Sequence, residues 1–213
     1  MAIPKTKNIS NAQEPTEGYW AALGEFIHHF SKVERMLHIV LRQQSGADAR
    51  VCKAVFSGLR NDTCRDYINR VCDAMGRSEL KARLKGVFDQ LGQISAARNA
   101  IVHWGASTLE DDSIVAMNEF LAHTDEKFRQ IPLSTVILRS MIDDLIKINI
   151  HLAAEVWKMQ PADSRNPNLM ETIGPTLSSA WRYKPPQQSP LGKGNPNRDQ
   201  VQPPQTGASL PTP

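Results

Sequence analysis

Residues 80–103 read LKARLKGVFDQLGQISAARNAIVH. Leu80, Leu84, Val87, Leu91 and Ile94 recur at alternating steps of four and three, the spacing that gathers side chains on one face of a helix. The next steps reach Arg98 and then Ile101, so an arginine stands where the pattern asks for an apolar side chain. Burying a guanidinium is costly unless it is paired or faces a wet cleft, and the substitution therefore needs a physical reason.

Outward from this segment the same periodicity predicts further helices. A first helix runs from about Thr16 or Glu17 to Gln44 and stops at Ser45-Gly46. In it Tyr19, Leu23, Phe26, Phe30, Val33, Leu37 and Val40 keep the four-three alternation, while Trp20, Ile27, Glu34 and Leu41 run beside them at sevens. Shorter helices are expected over Asp48 to Ser57 and Asp62 to Met75, each opened by an aspartate and followed by Gly58 or Gly76. Ser78 opens the helix quoted above, which continues to about His103. From Gly105 to Pro132 there is no helical stripe, and Ser113 to Met117 and Lys127 to Ile131 suit a small hairpin. Ser134 caps a last helix with Leu138, Ile142, Leu145, Leu152 and Val156 on one stripe, interrupted by Asn149. The expected fold is all-α, a helical bundle of about five helices with a small hairpin or irregular insertion before the last. No period of about 20 to 50 residues repeats, which argues against a helical solenoid.

Composition sets the expected boundaries. Eleven of the fourteen prolines lie from Pro161 onward, in a stretch rich in Gly, Ser, Gln and Asn. Such a stretch buries too little apolar surface to offset its ordering entropy. The expected organisation is a flexible N-terminus over 1–15, a helical domain over 16–160, and a disordered proline-rich tail over 161–213 that is dispensable for folding. Within the tail, Trp181-Arg182-Tyr183-Lys184-Pro185-Pro186 is read as linker, with a docking motif or an RNA-touching segment as the alternative.

The net charge is +3 over 213 residues, so no global basic field announces stable nucleic-acid binding. Cys52, Cys64 and Cys72 form no Cys-x-x-Cys pair, and an odd count speaks against a secreted disulfide scaffold; they read as reduced thiols of a cytoplasmic protein. Neither a signal peptide nor a run of membrane-spanning length is expected. Metal ligation is poorly supported: His28 and His29 are adjacent on different helix faces, and Asp111-Asp112 and Asp143-Asp144 read as solvated carboxylates. A phosphate-cradling glycine-rich loop is missing, so no cofactor is expected.

The chemistry sits at the end of the quoted helix. Asn99 and His103 are four apart and share a face, with Arg98 about 100° around from Asn99. Arginine can hold a phosphate through two parallel hydrogen bonds, and the imidazole titrates closest to neutrality, a combination suited to phosphodiester chemistry. The plainer reading is that Arg98 and His103 offset the negative end of the helix dipole before Gly105 ends it. Glu34, in an otherwise apolar line of the first helix, is either a boundary carboxylate reaching solvent, a partner for Arg98, or an orienter of His103.

The segment Ala96-Ala97-Arg98-Asn99-Ala100-Ile101-Val102-His103 resembles the motif of the HEPN superfamily, arginine followed by a polar residue and then histidine near the end of a long bundle helix. A looser likeness covers Phe30-Ser31-Lys32-Val33-Glu34 of the first helix. Many members carry glycine directly after the histidine, whereas Trp104 stands here. The resemblance implies a metal-independent endoribonuclease in which Arg98, Asn99, His103 and Glu34 form the site. It also implies an RNA substrate and a role as a toxin or antiviral effector with an antitoxin or regulatory partner; since one chain supplies one such histidine and acid and base duties are commonly split between two groups, a homodimer is expected. Two other readings stay open: a non-catalytic HEPN-like binding module, and a structural scaffold in which Arg98 pairs with Glu34.

Overall fold

The computed structural model describes residues 17–109, 113–118, 122, 127–157 and 167–186. Asp111 and Asp112, the N-terminus over 1–15 and the stretch beyond 186 lie outside the described residues. Helix α1 spans Glu17–Ser45, α2 Ala49–Phe56, α3 Asn61–Ala74 and α4 Ser78–Trp104. Three short strands follow, β1 Ser107–Thr108, β2 Ile114–Met117 and β3 Gln130–Pro132, and then α5 Thr135–Trp157 and α6 Pro167–Ser178. The fold is all-α, as the periodicity predicts.

Helix boundaries follow local chemistry. Asp48 caps α2 by accepting from the Arg50 amide at 2.7 Å, and the Ser134 hydroxyl accepts from the Ile137 amide at 3.3 Å at the start of α5. Two expected caps differ. Asp62 lies inside the first turn of α3 rather than before it, and α4 begins at Ser78 itself, behind Arg77, whose side chain makes no capping bond. Arg77 reaches instead to the Gln44 carbonyl at 2.9 Å, tying the α3–α4 turn to the end of α1. Gly76, at φ +64°, makes that turn.

Interhelix bonds give the helix directions. Glu25 pairs with Arg139, and the Gln43 amide donates to the Val156 carbonyl at 2.7 Å, so α1 and α5 run parallel along their length. Arg83 forks onto Glu155 at 2.7 and 3.0 Å and Gln90 meets Asp144, so α4 runs antiparallel to both. The core lies between them. Tyr19, Phe26, Phe30, Val33, Leu37 and Val40 of α1, Leu80, Leu84, Val87, Leu91, Ile94 and Ile101 of α4, and Leu138, Ile142, Leu145 and Leu152 of α5 are all buried. The hairpin forms as β2 and β3, antiparallel with Val115 opposite Pro132 and Met117 opposite Gln130, and β1 adds a third strand beside β2. Ala116 faces the main core, while Val115 and Met117 face a small cluster with Leu109 and Phe128.

The boundary expected at Gln160 is corrected. α6 packs against α5, and the chain after it lies back across α5 and α4. Asp144, only 1% exposed, accepts from the Arg182 amide at 2.9 Å, the Tyr183 amide at 2.8 Å and the Gln90 side-chain amide at 2.8 Å. Gln90 also donates to the Tyr183 carbonyl at 3.0 Å, so one buried carboxylate and one buried amide hold this backbone strap from both sides. Tyr183 is 4% exposed and belongs to the main core. Lys147 donates to the Ser179 carbonyl and lies 4.3 Å from the centre of the Trp181 ring. Proline density misleads here because it is uneven: 176–184 contain none, and Trp181 and Tyr183 supply the apolar area that the rest of the tail lacks. The pair Asp143-Asp144 is correspondingly not a solvated one, since Asp144 is buried and Asp143 pairs with Arg182.

Candidate functional site

The site is built at the end of α4, where the helix crosses Phe30 of α1. Arg98 continues the apolar row after Ile94 and is half-buried, and its guanidinium carbon sits 5.5 Å from the centre of the Phe30 ring. A cation over an aromatic face gains electrostatically from the ring quadrupole, which is how an arginine can occupy an apolar position. Nη1 donates to the Asn99 side-chain oxygen at 3.2 Å. The buried Nε has no hydrogen-bond partner, a donor left unsatisfied in a position where that carries a cost. Asn99 and His103 are exposed, one turn apart on the same face.

Among the described residues Arg98 forms no ion pair. Glu34, the expected partner, is not bonded to it; the guanidinium lies over Phe30 and reaches Asn99 instead. Glu34 lies one turn further along α1, where its charge acts on Cys64 of α3. That thiol is pushed up to about 11 by burial and by Glu34. It lies 3.7 Å from the His38 ring nitrogen Nδ1, but a thiol held protonated in this way is not a nucleophile at neutral pH. Cys52, Cys64 and Cys72 are all free and buried. The structure therefore brings Arg98 and Asn99 together, sets His103 beside them, and leaves Glu34 outside their hydrogen-bonding reach.

The departure after His103 has a local explanation. Trp104 is the last residue of α4 and packs against the core, and Gly105, at φ +75°, takes the positive-φ position and returns its amide to the Ile101 carbonyl at 3.1 Å. One added helical residue thus anchors the end of the helix that carries His103. Polar residues along α3 add further unsatisfied groups. Both side-chain polar atoms of the buried Asn61, at the start of α3, lack partners. Arg65, one turn on, donates to the Phe88 carbonyl at 2.9 Å and occupies space that a side chain at Gly92 would need.

Among the described residues no three His, Cys, Asp or Glu side chains come together as a metal-holding group, and no helix is long and apolar enough to cross a membrane. Sequence reasoning missed the Asp144–Gln90 clamp and the role of Lys147. The α5 stripe carried no signal for it: Asp144 and Lys147 lie on other faces of that helix and are covered by the strap. No family model matches this chain, nor does any curated protein or solved structure.

Proposed function

We propose that the protein is a metal-independent endoribonuclease of the HEPN type, with Arg98, Asn99 and His103 as its site. The observation that carries this reading is the state of Arg98, whose charge is held half-buried beside Phe30 and Asn99 with no carboxylate paired to it among the described residues. A cation left uncompensated at an apolar position is poised for an anionic ligand. His103, exposed on the adjacent face, is open to a substrate in the same place.

In the proposed reaction the RNA 2′-oxygen bonds to phosphorus as its proton passes to a base, and the bond from phosphorus to the 5′-oxygen breaks as an acid protonates the leaving oxygen. The products are a 2′,3′-cyclic phosphate and a 5′-hydroxyl, and no metal or water enters the balance. Arg98 holds the scissile phosphate and stabilises its growing charge; Asn99 keeps the guanidinium oriented; His103 serves as acid or base. One chain supplies one such histidine, whereas the two proton transfers call for two groups. A two-fold axis beside α4 would bring a second His103 and a second Arg98 from another copy. A toxin or defence role, held in check by a protein partner, fits an enzyme of this kind.

The test is incubation of the pure protein with a mixed RNA pool in EDTA, with the ends sequenced and their phosphates identified. Sedimentation at micromolar concentration tests the two-fold arrangement: a dimer is expected, and a strictly monomeric protein that cleaves RNA contradicts it.

A further inference from the structure

A second feature lies on α1 itself, toward its C-terminal end. Between α1 and α2 opens a cleft of about 460 Å³ lined by His38, Arg42, Arg50, Lys53, Phe56 and Ser57, with Ala49 and Cys52 completing the wall. Its charge is of one sign. Arg42, Arg50 and Lys53 are exposed, none forms an ion pair among the described residues, and no carboxylate belongs to the lining. On a folded domain whose acidic and basic residues nearly balance, three uncompensated cations around one concavity are a local field rather than a reflection of composition. Cys52 and the half-buried Phe56 give the cleft an apolar floor. Cations at the rim over an apolar floor suit a phosphate carried on a nucleoside, which presents both a charge and a flat apolar face.

The cleft is connected to the candidate site by the geometry of α1. Phe30, Glu34, His38 and Arg42 are spaced by four and form a ridge that winds about 40° around the helix at each step, with Arg98 over the first and the cleft at the last two. Phe30 and Arg42 are separated by about 18 Å at the usual helical rise. A single strand covers that span in a few nucleotides. Glu34 lies between the two cationic ends, so a bound strand is gripped at the ends of the row rather than along its middle.

We infer that the cleft formed by His38, Arg42, Arg50, Lys53 and Phe56 is a second RNA-backbone site, holding a phosphodiester a few nucleotides from the one at Arg98. This rests on the ribonuclease reading for its substrate, while its geometry is independent of it. Such a site supplies grip without catalysis, raising affinity for strands long enough to reach it.

The experiment measures binding of a single-stranded RNA of about twelve nucleotides, 2′-O-methylated throughout so that it cannot be cut, to the full-length protein. The Arg50→Ala/Lys53→Ala variant is compared with Lys81→Ala/Lys85→Ala, which removes the same charge from α4. The cleft variant is expected to lose about tenfold or more in affinity, and the slope of log K against log salt to fall by about 1.4, the loss of two phosphate contacts on a single strand. The α4 variant is expected to change by less than about twofold. Equal losses in the two variants, or no binding by the wild type, would overturn the inference. Displacement of the RNA by micromolar ATP or tripolyphosphate, abolished by Arg50→Ala/Lys53→Ala, would also overturn it by assigning the cleft to a free polyphosphate. If the wild type cuts no RNA yet binds it through the cleft, the catalytic reading falls and this inference stands. If it cuts RNA while cleft substitutions change neither binding nor cleavage, the reverse holds.

Discussion

Replacing Asp144 by alanine tests whether the C-terminal strap is part of the folded domain. The carboxylate accepts from the Arg182 and Tyr183 amides and from Gln90. Gln90 keeps the Tyr183 carbonyl as a partner after the substitution, so two backbone donors lose their only acceptor. A buried donor left without one costs about 1–3 kcal/mol. Tyr183 is buried, whereas the Arg182 amide is part-buried and can recover some of its loss from water, which puts the sum near 3 kcal/mol. For a chain of this size 1 kcal/mol shifts the midpoint by about 2–4 °C, so Asp144→Ala should lower Tm by about 6–12 °C in a calorimetric or circular-dichroism melt. The neighbouring Asp143→Ala breaks only an exposed pair with Arg182, worth about 0–1 kcal/mol, and should leave Tm nearly unchanged. Truncation after Pro186 should likewise be silent, while truncation after Gln160 should cost at least as much as Asp144→Ala, because the burial of Tyr183 is lost as well. Wild-type melting for both Asp144→Ala and the truncation at Gln160 would refute the docked strap.

Arg98→Leu should retain or raise Tm, because it restores the apolar row, removes an unsatisfied Nε and breaks no ion pair; a fall of several degrees would make the arginine structural. Acid should loosen the strap through His151, whose ring stacks near Trp181. Burial, with Lys147 adding to it, holds the His151 pKa below the ordinary value of about 6.5, against a hydrogen bond to the Leu177 backbone and the Glu155 charge that act the other way. The folded state thus binds this proton less readily than the unfolded chain, so the contribution is fully present above about pH 6.5 and is lost as pH falls from there toward the folded value. His29 shifts in the same direction, and the comparison isolates His151: Tm of His151→Gln should fall less than that of the wild type between pH 7 and pH 5, and identical falls would contradict the assignment.

The bundle is legible because each long helix carries its core on a regular stripe. Where α4 breaks its stripe at Arg98, the break marks the candidate site, and where α5 breaks at Asn149 it leaves a buried side-chain oxygen without a partner. The hairpin is legible from alternation and turn residues, and Asn118 closes it by accepting from the Arg129 amide and donating to the Lys127 carbonyl. The strap is not legible in the same way. Its anchor is one carboxylate holding backbone amides from 38 and 39 residues away, a contact that leaves no periodic trace. The same limit applies to Glu34, whose place in an otherwise apolar line of α1 suggests a pair with Arg98, whereas the guanidinium lies over Phe30.

RNA cleavage in EDTA by the wild type, Arg98→Ala, His103→Ala and the double variant, each checked for an unchanged melting curve, decides whether the end of α4 is a ribonuclease site. The wild type should cleave, leaving 2′,3′-cyclic phosphate ends, and each single variant should lose at least about a hundredfold. Full activity in the double variant, or no cleavage of any RNA by the wild type, would contradict it.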